Sequence, residues 1–268
     1  MSTRLSTRWD GGALTWRVFD QHRGQGRPLV LLHGASGSWT HWIRNIAPLA
    51  ARRRVLVPDM PGFGDSDAPP EPHTADALAN LLATGLEGLV PPPAAFDMAG
   101  FSFGGIVGGL VAARLGHRVG ALVLLGAAGL GLPIPTHHLL RTDSTMTAEE
   151  VRSVHRQNLG ILMFGHADRV DDLAVFVHIE NVRRTRFKSG GIPASDVLLR
   201  ALPSIEARIG GVWGSRDAFV GAGLHDRRRI LASFQRDLDF RVVEGAGHWV
   251  PYEAAEAVNA ALLDMLPC

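Results

Sequence analysis

Gly100-Phe101-Ser102-Phe103-Gly104-Gly105 sets a serine among closely spaced glycines. It follows Ala95-Phe96-Asp97-Met98-Ala99, which reads as a short buried strand, and precedes Ile106 to Arg114, which reads as a helix. G-x-S-x-G between a strand and a helix is the setting of a nucleophile elbow, a tight turn that lifts the hydroxyl above the sheet edge. A serine hydroxyl attacks poorly at neutral pH, so it needs a base, and the base needs a group to orient it. Glu244-Gly245-Ala246-Gly247-His248-Trp249 offers the base, His248, in a glycine-flanked loop. Trp213-Gly214-Ser215-Arg216-Asp217 offers the acid, Asp217, just past a predicted strand, with Asp226 as a neighbouring rival. The order Ser102, Asp217, His248 is the Ser…Asp…His order of strand-turn-helix serine hydrolases.

An attacked carbonyl becomes an oxyanion that needs donors. The backbone N–H of Phe103 is one candidate. The second comes from His33-Gly34-Ala35-Ser36-Gly37, directly after an apolar run: the N–H of Ala35, with that of Ser36 as the alternative. Gly34, Ser36 and Phe101 are expected to border the substrate, and the phenylalanines on either side of Ser102 point to a largely apolar pocket. Other chemistry-bearing residues read as structural. Asp59 stands at a strand end but is expected to organise its own loop, and Asp97 lies within a strand. His137-His138 has no third ligand at metal spacing, so no metal is expected.

These residues need a scaffold. Pro28 to Gly34, Arg54 to Asp59, Ala95 to Ala99, Ala121 to Gly126, Ile205 to Gly214 and Asp239 to Glu244 read as strands, mostly continuous apolar runs. Leu14 to Phe19 alternates and reads as an early antiparallel strand. Helices are expected over about Trp39–Ala51, Thr74–Gly88, the segment after Ser102, and Glu253–Met265. Alternating strands and helices make an α/β fold, a mostly parallel sheet with helices on both faces. The rhythm stops between Gly129 and Pro203, where Thr147-Ala148-Glu149-Glu150 opens a helix like a capping box and Asp171 to Thr185 suggests another. The expected organisation is therefore a core over 1–128, an inserted helical lid over 129–203, and the rest of the core over 204–268.

Composition narrows the function. The chain has 268 residues, 46% hydrophobic and 20% charged, with a formal net charge of +1. That balance gives no field for nucleic acid or an anionic membrane. The arginine runs 52–54 and 227–229 carry no aromatic interleaving. Lys188 is the only lysine, which leaves little room for Schiff-base chemistry, and Cys268 is the only cysteine, so no internal disulfide is expected. The N-terminus has no apolar signal core and the apolar region 119–135 is too short and broken to span a membrane. A cytoplasmic enzyme acting on a small molecule, without cofactor, nucleic-acid or membrane partner, is expected. There is no P-loop and no G-x-G-x-x-G fingerprint.

On these residues the chain resembles the α/β-hydrolase superfamily over its full length, including carboxylesterases. Within it, Arg44 to Leu49, Asp59 to Asp67, Leu124 to Gly131 and Gly247-His248-Trp249 resemble the serine C–C hydrolases that cleave meta-cleavage ring-fission products. The resemblance implies a Ser102, Asp217, His248 triad, a role for Trp249 beside the substrate, and a lid arginine on the substrate carboxylate, with Arg183, Arg184 and Arg186 as candidates. Those hydrolases usually carry Asn before the serine and Met after it, where this chain has Phe101 and Phe103, and their first oxyanion loop is richer in glycine. Ester hydrolysis is therefore the first expectation and C–C hydrolysis the alternative. Haloalkane dehalogenases and epoxide hydrolases place aspartate at the elbow, which Ser102 argues against. A ligand receptor or a cofactor-independent oxygenase of the same fold is the remaining class.

Overall fold

The computed structural model describes residues 2–20 and 26–266; Cys268 lies outside them. Its strands form one eight-stranded sheet among the described residues, in the order β1-β2-β4-β3-β5-β6-β7-β8. The strands are β1 (Thr3–Trp9), β2 (Gly12–Phe19), β3 (Leu29–Leu32), β4 (Val55–Pro58), β5 (Phe96–Phe101), β6 (Val119–Leu125), β7 (Arg208–Gly214) and β8 (Asp239–Val243). β2 pairs antiparallel with β1 and β4, and every later pairing is parallel. The chain order reverses between β3 and β5, so the loops after these adjacent strands open a crevice at their carboxyl ends, the usual ligand position in an open α/β sheet. His33-Gly34 leaves β3 there, and Ser102 leaves β5.

The α-helices are α1 (Ile46–Ala50), α2 (Ala75–Leu89), α3 (Phe103–Leu115), α4 (Ala148–Leu162), α5 (Asp172–Arg183), α6 (Val197–Ala201), α7 (Leu224–Phe234), α8 (Val250–Glu253) and α9 (Ala255–Met265). The central strands alternate between two cores, because successive side chains point to opposite faces. Val30 and Leu32 join Leu78 and Leu82 of α2 and Ile106 and Val107 of α3. Leu29 and Leu31 join Leu49 of α1 and Val258 and Leu262 of α9. Burial on both faces explains why these strands read as unbroken apolar runs.

Several elements differ from the sequence expectation, among them α6 and α7, neither of which is expected from the sequence as a helix. β1 is an edge strand whose side chains alternate between exposed and half-buried; such a strand has no apolar run to announce it. The single helix expected over Trp39–Ala51 is instead a 3₁₀ turn, Trp39–Trp42, and the short α1. Proline has no N–H, so Pro48 cannot bond the carbonyl of Arg44, as a continuous helix would require. That carbonyl accepts from Asn259 Nδ2 at 3.3 Å, and Asn45 Nδ2 donates to Asn259 Oδ1 at 2.8 Å. The side chain of a distant helix thus occupies the break.

Between β6 and β7 the chain leaves the sheet and carries α4, α5 and α6. Thr147 and Glu150 form a reciprocal capping box at the start of α4. Leu159, Val175 and Val177 of α4 and α5 join the same core as Trp249 and Tyr252. Glu253 fastens this insertion to the sheet-end loops: its carboxylate accepts from the N–H groups of Gly165 (2.8 Å), His166 (3.2 Å) and Gly247 (2.7 Å). The end of the insertion behaves differently, since Leu198 of α6 sits in the core beside Ile106 of α3.

Candidate active site

Ser102 sits at φ 53°, ψ −115°, a left-handed, strained conformation for a residue with a Cβ. Its N–H donates to Leu125 O on β6 (2.8 Å) and its carbonyl accepts from Gly105 N–H (2.9 Å). The turn leaves no room beside it. A Cβ on Gly100 would lie 2.4 Å from Gly104 O, and one on Gly104 would lie 2.4 Å from Leu32 O and 2.5 Å from His33 O. Backbone, not flexible side chain, excludes anything larger, so the glycine spacing is a packing requirement of β5, β3 and α3.

Asp217 lies in the turn after β7 and His248 in the loop after β8, both buried. His248 Nδ1 is 2.8 Å from Asp217 Oδ2 and 2.9 Å from Oδ1, and Nε2 is 2.9 Å from Ser102 Oγ. An ionised carboxylate only accepts, so Nδ1 carries the proton and donates to Asp217, leaving Nε2 to accept from the Ser102 hydroxyl. Phe219 N–H donates to Asp217 Oδ1 at 2.9 Å and fixes the carboxylate. The rival, Asp226, pairs instead with Arg229 at 3.3 Å on α7.

The loop after β3 is held by two buried histidines. His33 Nε2 accepts from Met60 N–H at 2.9 Å, so its proton sits on Nδ1, which donates to Gly34 O at 2.8 Å. Burial pushes His33 down to about 4, so it is neutral at pH 7. His41 Nδ1 accepts from Gly34 N–H at 3.2 Å. Burial, reinforced by the fields of His33, His178 and His248, holds His41 well below the usual imidazole range. With both polar groups of Gly34 occupied, the next N–H, that of Ala35, has no acceptor among the described residues; neither has that of Phe103.

These groups face a cavity of about 120 Å³. Its walls are Gly34, Ala35, Phe101, Phe103 and Ala128 from the core, Ile134, Met163 and Pro193 from the insertion, and Phe219 beside Asp217; Ser102 and His248 complete it. The Phe219 ring lies 4.3 Å from that of His248 and the Phe101 ring 5.1 Å, each tilted by 46° against the imidazole. The wall residues from 134, 163, 193 and 219 were not foreseeable as a group, since no sequence spacing relates them; Phe219, two residues beyond Asp217, was the one with a positional hint. His41 carried no motif at all.

Several expected contacts fall elsewhere. Trp249 is buried away from the cavity: its indole N–H donates to His41 O at 3.1 Å and its ring lies 4.3 Å from Tyr252. It supports the β3 loop from behind instead of bordering a substrate. Ser36, at φ 49°, turns that loop and is not a cavity wall. Arg184 is 2.8 Å from Asp65, a carboxylate that Arg17 also approaches at 2.9 Å, so its charge is drawn to a polar recess beside Trp39 and Asp59. Arg183 pairs with Glu180, and Arg186 donates to the carbonyls of Gly64, Arg184 and Ser66. None of the three reaches the Ser102 cavity. Asp59 organises its loop, accepting from Trp39 N–H and Asp65 N–H, with burial raising its pKa. Asp97 is buried against Arg53. His137 is 2.9 Å from Ala218 O, and no group of potential metal ligands occurs among the described residues.

Sheet order, elbow and insertion together define an α/β hydrolase, and residues 29–261 match the family model described as the alpha/beta hydrolase family. The chain belongs to that family and is a hydrolase of that fold. It is 30% identical to a 2-hydroxy-6-oxo-6-phenylhexa-2,4-dienoate hydrolase of Burkholderia cepacia, over 95% of this chain and 93% of that protein. Its fold is similar to that of naproxen esterase (carboxylesterase NP) from Bacillus subtilis, with a TM-score of 0.76 and 24% identity, covering 98% of this chain and 90% of that one. It is also similar to a mutant of the meta-cleavage product hydrolase CumD, with a TM-score of 0.73 and 20% identity over 97% of both chains. Among the described residues no helix is long and apolar enough to cross a membrane.

Proposed function

We propose that the protein is a serine hydrolase that cleaves a carboxylic ester of modest size. Ser102 Oγ attacks the carbonyl carbon as His248 Nε2 takes its proton. Asp217 stabilises the resulting imidazolium without itself being protonated. The N–H groups of Phe103 and Ala35 hold the oxyanion; each such donor is worth about 10²–10³ in rate. His248 then returns the proton to the leaving alcohol, and water repeats the sequence on the acyl-enzyme. The observation that carries this reading is the single imidazole that touches the Ser102 hydroxyl with one nitrogen and the Asp217 carboxylate with the other. The insertion, which supplies Ile134, Met163 and Pro193 to the cavity, acts as the lid that shapes the substrate.

The kinship with a dienoate hydrolase over nearly the whole chain favours a second reading, C–C hydrolysis of a ring-fission product. Against it stands the absorption of Arg183, Arg184 and Arg186 in other pairs: the lid cation that the resemblance implied for a dienoate carboxylate is not at the cavity. Labelling with a fluorophosphonate probe tests the shared part. Wild type is expected to label and Ser102→Ala and His248→Ala are expected not to; labelling independent of Ser102 would refute the nucleophile. Turnover of a short aryl ester against a dienoate then ranks the two reactions, and turnover of the dienoate alone would reverse their order.

A further inference from the structure

The imidazole of His41, 4% exposed, touches the three segments that carry the reacting groups. Its Nδ1 accepts from Gly34 N–H at 3.2 Å, in the loop that follows β3. Its ring meets that of Phe101, the residue before Ser102, edge-on at 5.5 Å and 71°. It lies 5.0 Å from the ring of Trp249, the residue after His248, and the His41 carbonyl accepts from that indole N–H at 3.1 Å. Gly37 closes on the ring as well: a Cβ there would fall on Cε1 and Nδ1 of His41. The loop from Gly34 to Gly37 is thus wrapped on this imidazole, and Ser36 takes its left-handed φ of 49° between the two contacts.

What Gly34 carries gives the wrapping a purpose. Two peptide planes meet at its Cα, and glycine leaves them free to turn against each other. His33 Nδ1 holds the carbonyl of the second plane at 2.8 Å. The Ala35 N–H lies in that same trans plane and points the opposite way. One hydrogen bond leaves a plane free to pivot about it. The second fixed point is the N–H of the first plane, and its acceptor is His41. Gly34 also borders the nucleophile, since a Cβ on it would lie 3.3 Å from Ser102 Cβ and 3.0 Å from the Phe101 ring. A shift of this residue therefore displaces the Ala35 donor relative to Ser102 directly.

We propose that His41 is a positioning residue of the oxyanion hole: as an acceptor at Nδ1 it locks Gly34 so that the Ala35 N–H meets the oxygen of the transition state. His41 is not a wall of the Ser102 cavity, so it acts through Gly34. This rests on the hydrolase reading, with Ala35 as one donor. Burial and the neighbouring imidazoles hold the ring neutral, so the lone pair at Nδ1 stays in place while His248 carries the proton taken from Ser102.

His41→Asn and His41→Leu test the assignment, since the two side chains match in size and only asparagine offers an acceptor where Nδ1 stands. Turnover of p-nitrophenyl butyrate gives kcat and KM for wild type and both variants. The Asn variant is expected to exceed the Leu variant by roughly 10- to 100-fold in kcat, somewhat less than the loss of a whole oxyanion donor, with KM alike in the two. Inhibition should repeat the gap. Hexyl trifluoromethyl ketone, whose adduct with Ser102 carries an oxyanion, should bind the Leu variant roughly 10- to 100-fold more weakly than the Asn variant. Hexyl methyl ketone, which stays trigonal, should bind both alike. A merely structural histidine would shift thermal midpoints without that split. Equal kcat values, a gap confined to KM, or a kcat gap that the trifluoromethyl ketone does not share overturns the proposal. Where the Leu variant does not fold, His41→Gln replaces it. Its acceptor lies one bond farther out, and a Gln variant as fast as the Asn variant is then the overturning result. If wild type neither hydrolyses the ester nor labels at Ser102, the hydrolase reading fails and the role of His41 falls with it. A wild type that does both, beside variants of equal kcat, refutes the role of His41 alone.

Discussion

Acid should loosen this protein through His33, and the size of the effect follows from the site. Protonating Nε2 of His33 would abolish its bond from Met60 N–H and place a charge in a fully buried position. Its pKa falls from 6.5 to about 4 on folding. Between those values the unfolded chain binds a proton that the folded chain refuses, so stability falls as pH falls. The contribution is intact above about pH 7 and is lost below the folded value. At about 1.4 kcal/mol per unit it amounts to about 3 kcal/mol by pH 4, a large share of the roughly 5–15 kcal/mol that holds a typical domain. His41 and His178 are depressed in the same direction, so the total acid sensitivity exceeds this. A difference measurement isolates His33. Urea unfolding of wild type and His33→Asn, from pH 7.5 to pH 4, should show a stability gap that narrows by about 3 kcal/mol toward acid. A gap that stays constant with pH would refute the reasoning, because it would mean that His33 titrates alike in both states.

Gly104→Ala would put a methyl within 2.5 Å of two backbone carbonyls, which neither can yield without moving β3. A loss of about 2–3 kcal/mol or more and strongly reduced fluorophosphonate labelling are expected, read by thermal unfolding and by gel. Beneath the sheet, Arg53→Met would leave the buried Asp97 with the more exposed Arg27, 3.8 Å away, as its ion-pair partner and should cost about 3 kcal/mol, whereas Arg53→Met with Asp97→Leu should recover most of it. Urea midpoints of the two variants decide between these outcomes, and equal losses would contradict the pairing.

How much of this could be seen in the residues alone depended on how local the cause was. Leu29–Leu32 and Val119–Leu125 were legible as strands because burial on both faces leaves an uninterrupted apolar signature. The glycines around Ser102 were legible through their motif spacing, although only Gly100 clashes within the same turn and Gly104 clashes with the carbonyls of Leu32 and His33 at the end of a neighbouring strand. The break between Trp42 and Ile46 was legible only in part: Pro48 withholds an N–H from Arg44 O, but the Asn259 side chain that fills the gap lies more than two hundred positions away. The partners of Arg184 and Trp249 were not legible, since their charge and indole are claimed by Asp65 and by His41 O across the fold. The resemblance suggested substrate contacts for both, and the packing directs them elsewhere. The cavity walls at Ile134, Met163 and Pro193 belong to the same class, because an insertion shapes a site through tertiary position and leaves no periodic trace.

The carboxylate of Glu253 has a consequence for how this architecture could be altered. One side chain from the last part of the core holds two successive N–H groups of the insertion and the N–H beside His248. The insertion is therefore not an interchangeable cassette. A chimera that imports the residues between β6 and β7 from a relative inherits a turn made for a different anchor. Glu253 and Gly247 lie in the core and would stay behind, so the histidine loop and the insertion remain joined only if the imported turn presents two N–H groups where Gly165 and His166 now present theirs.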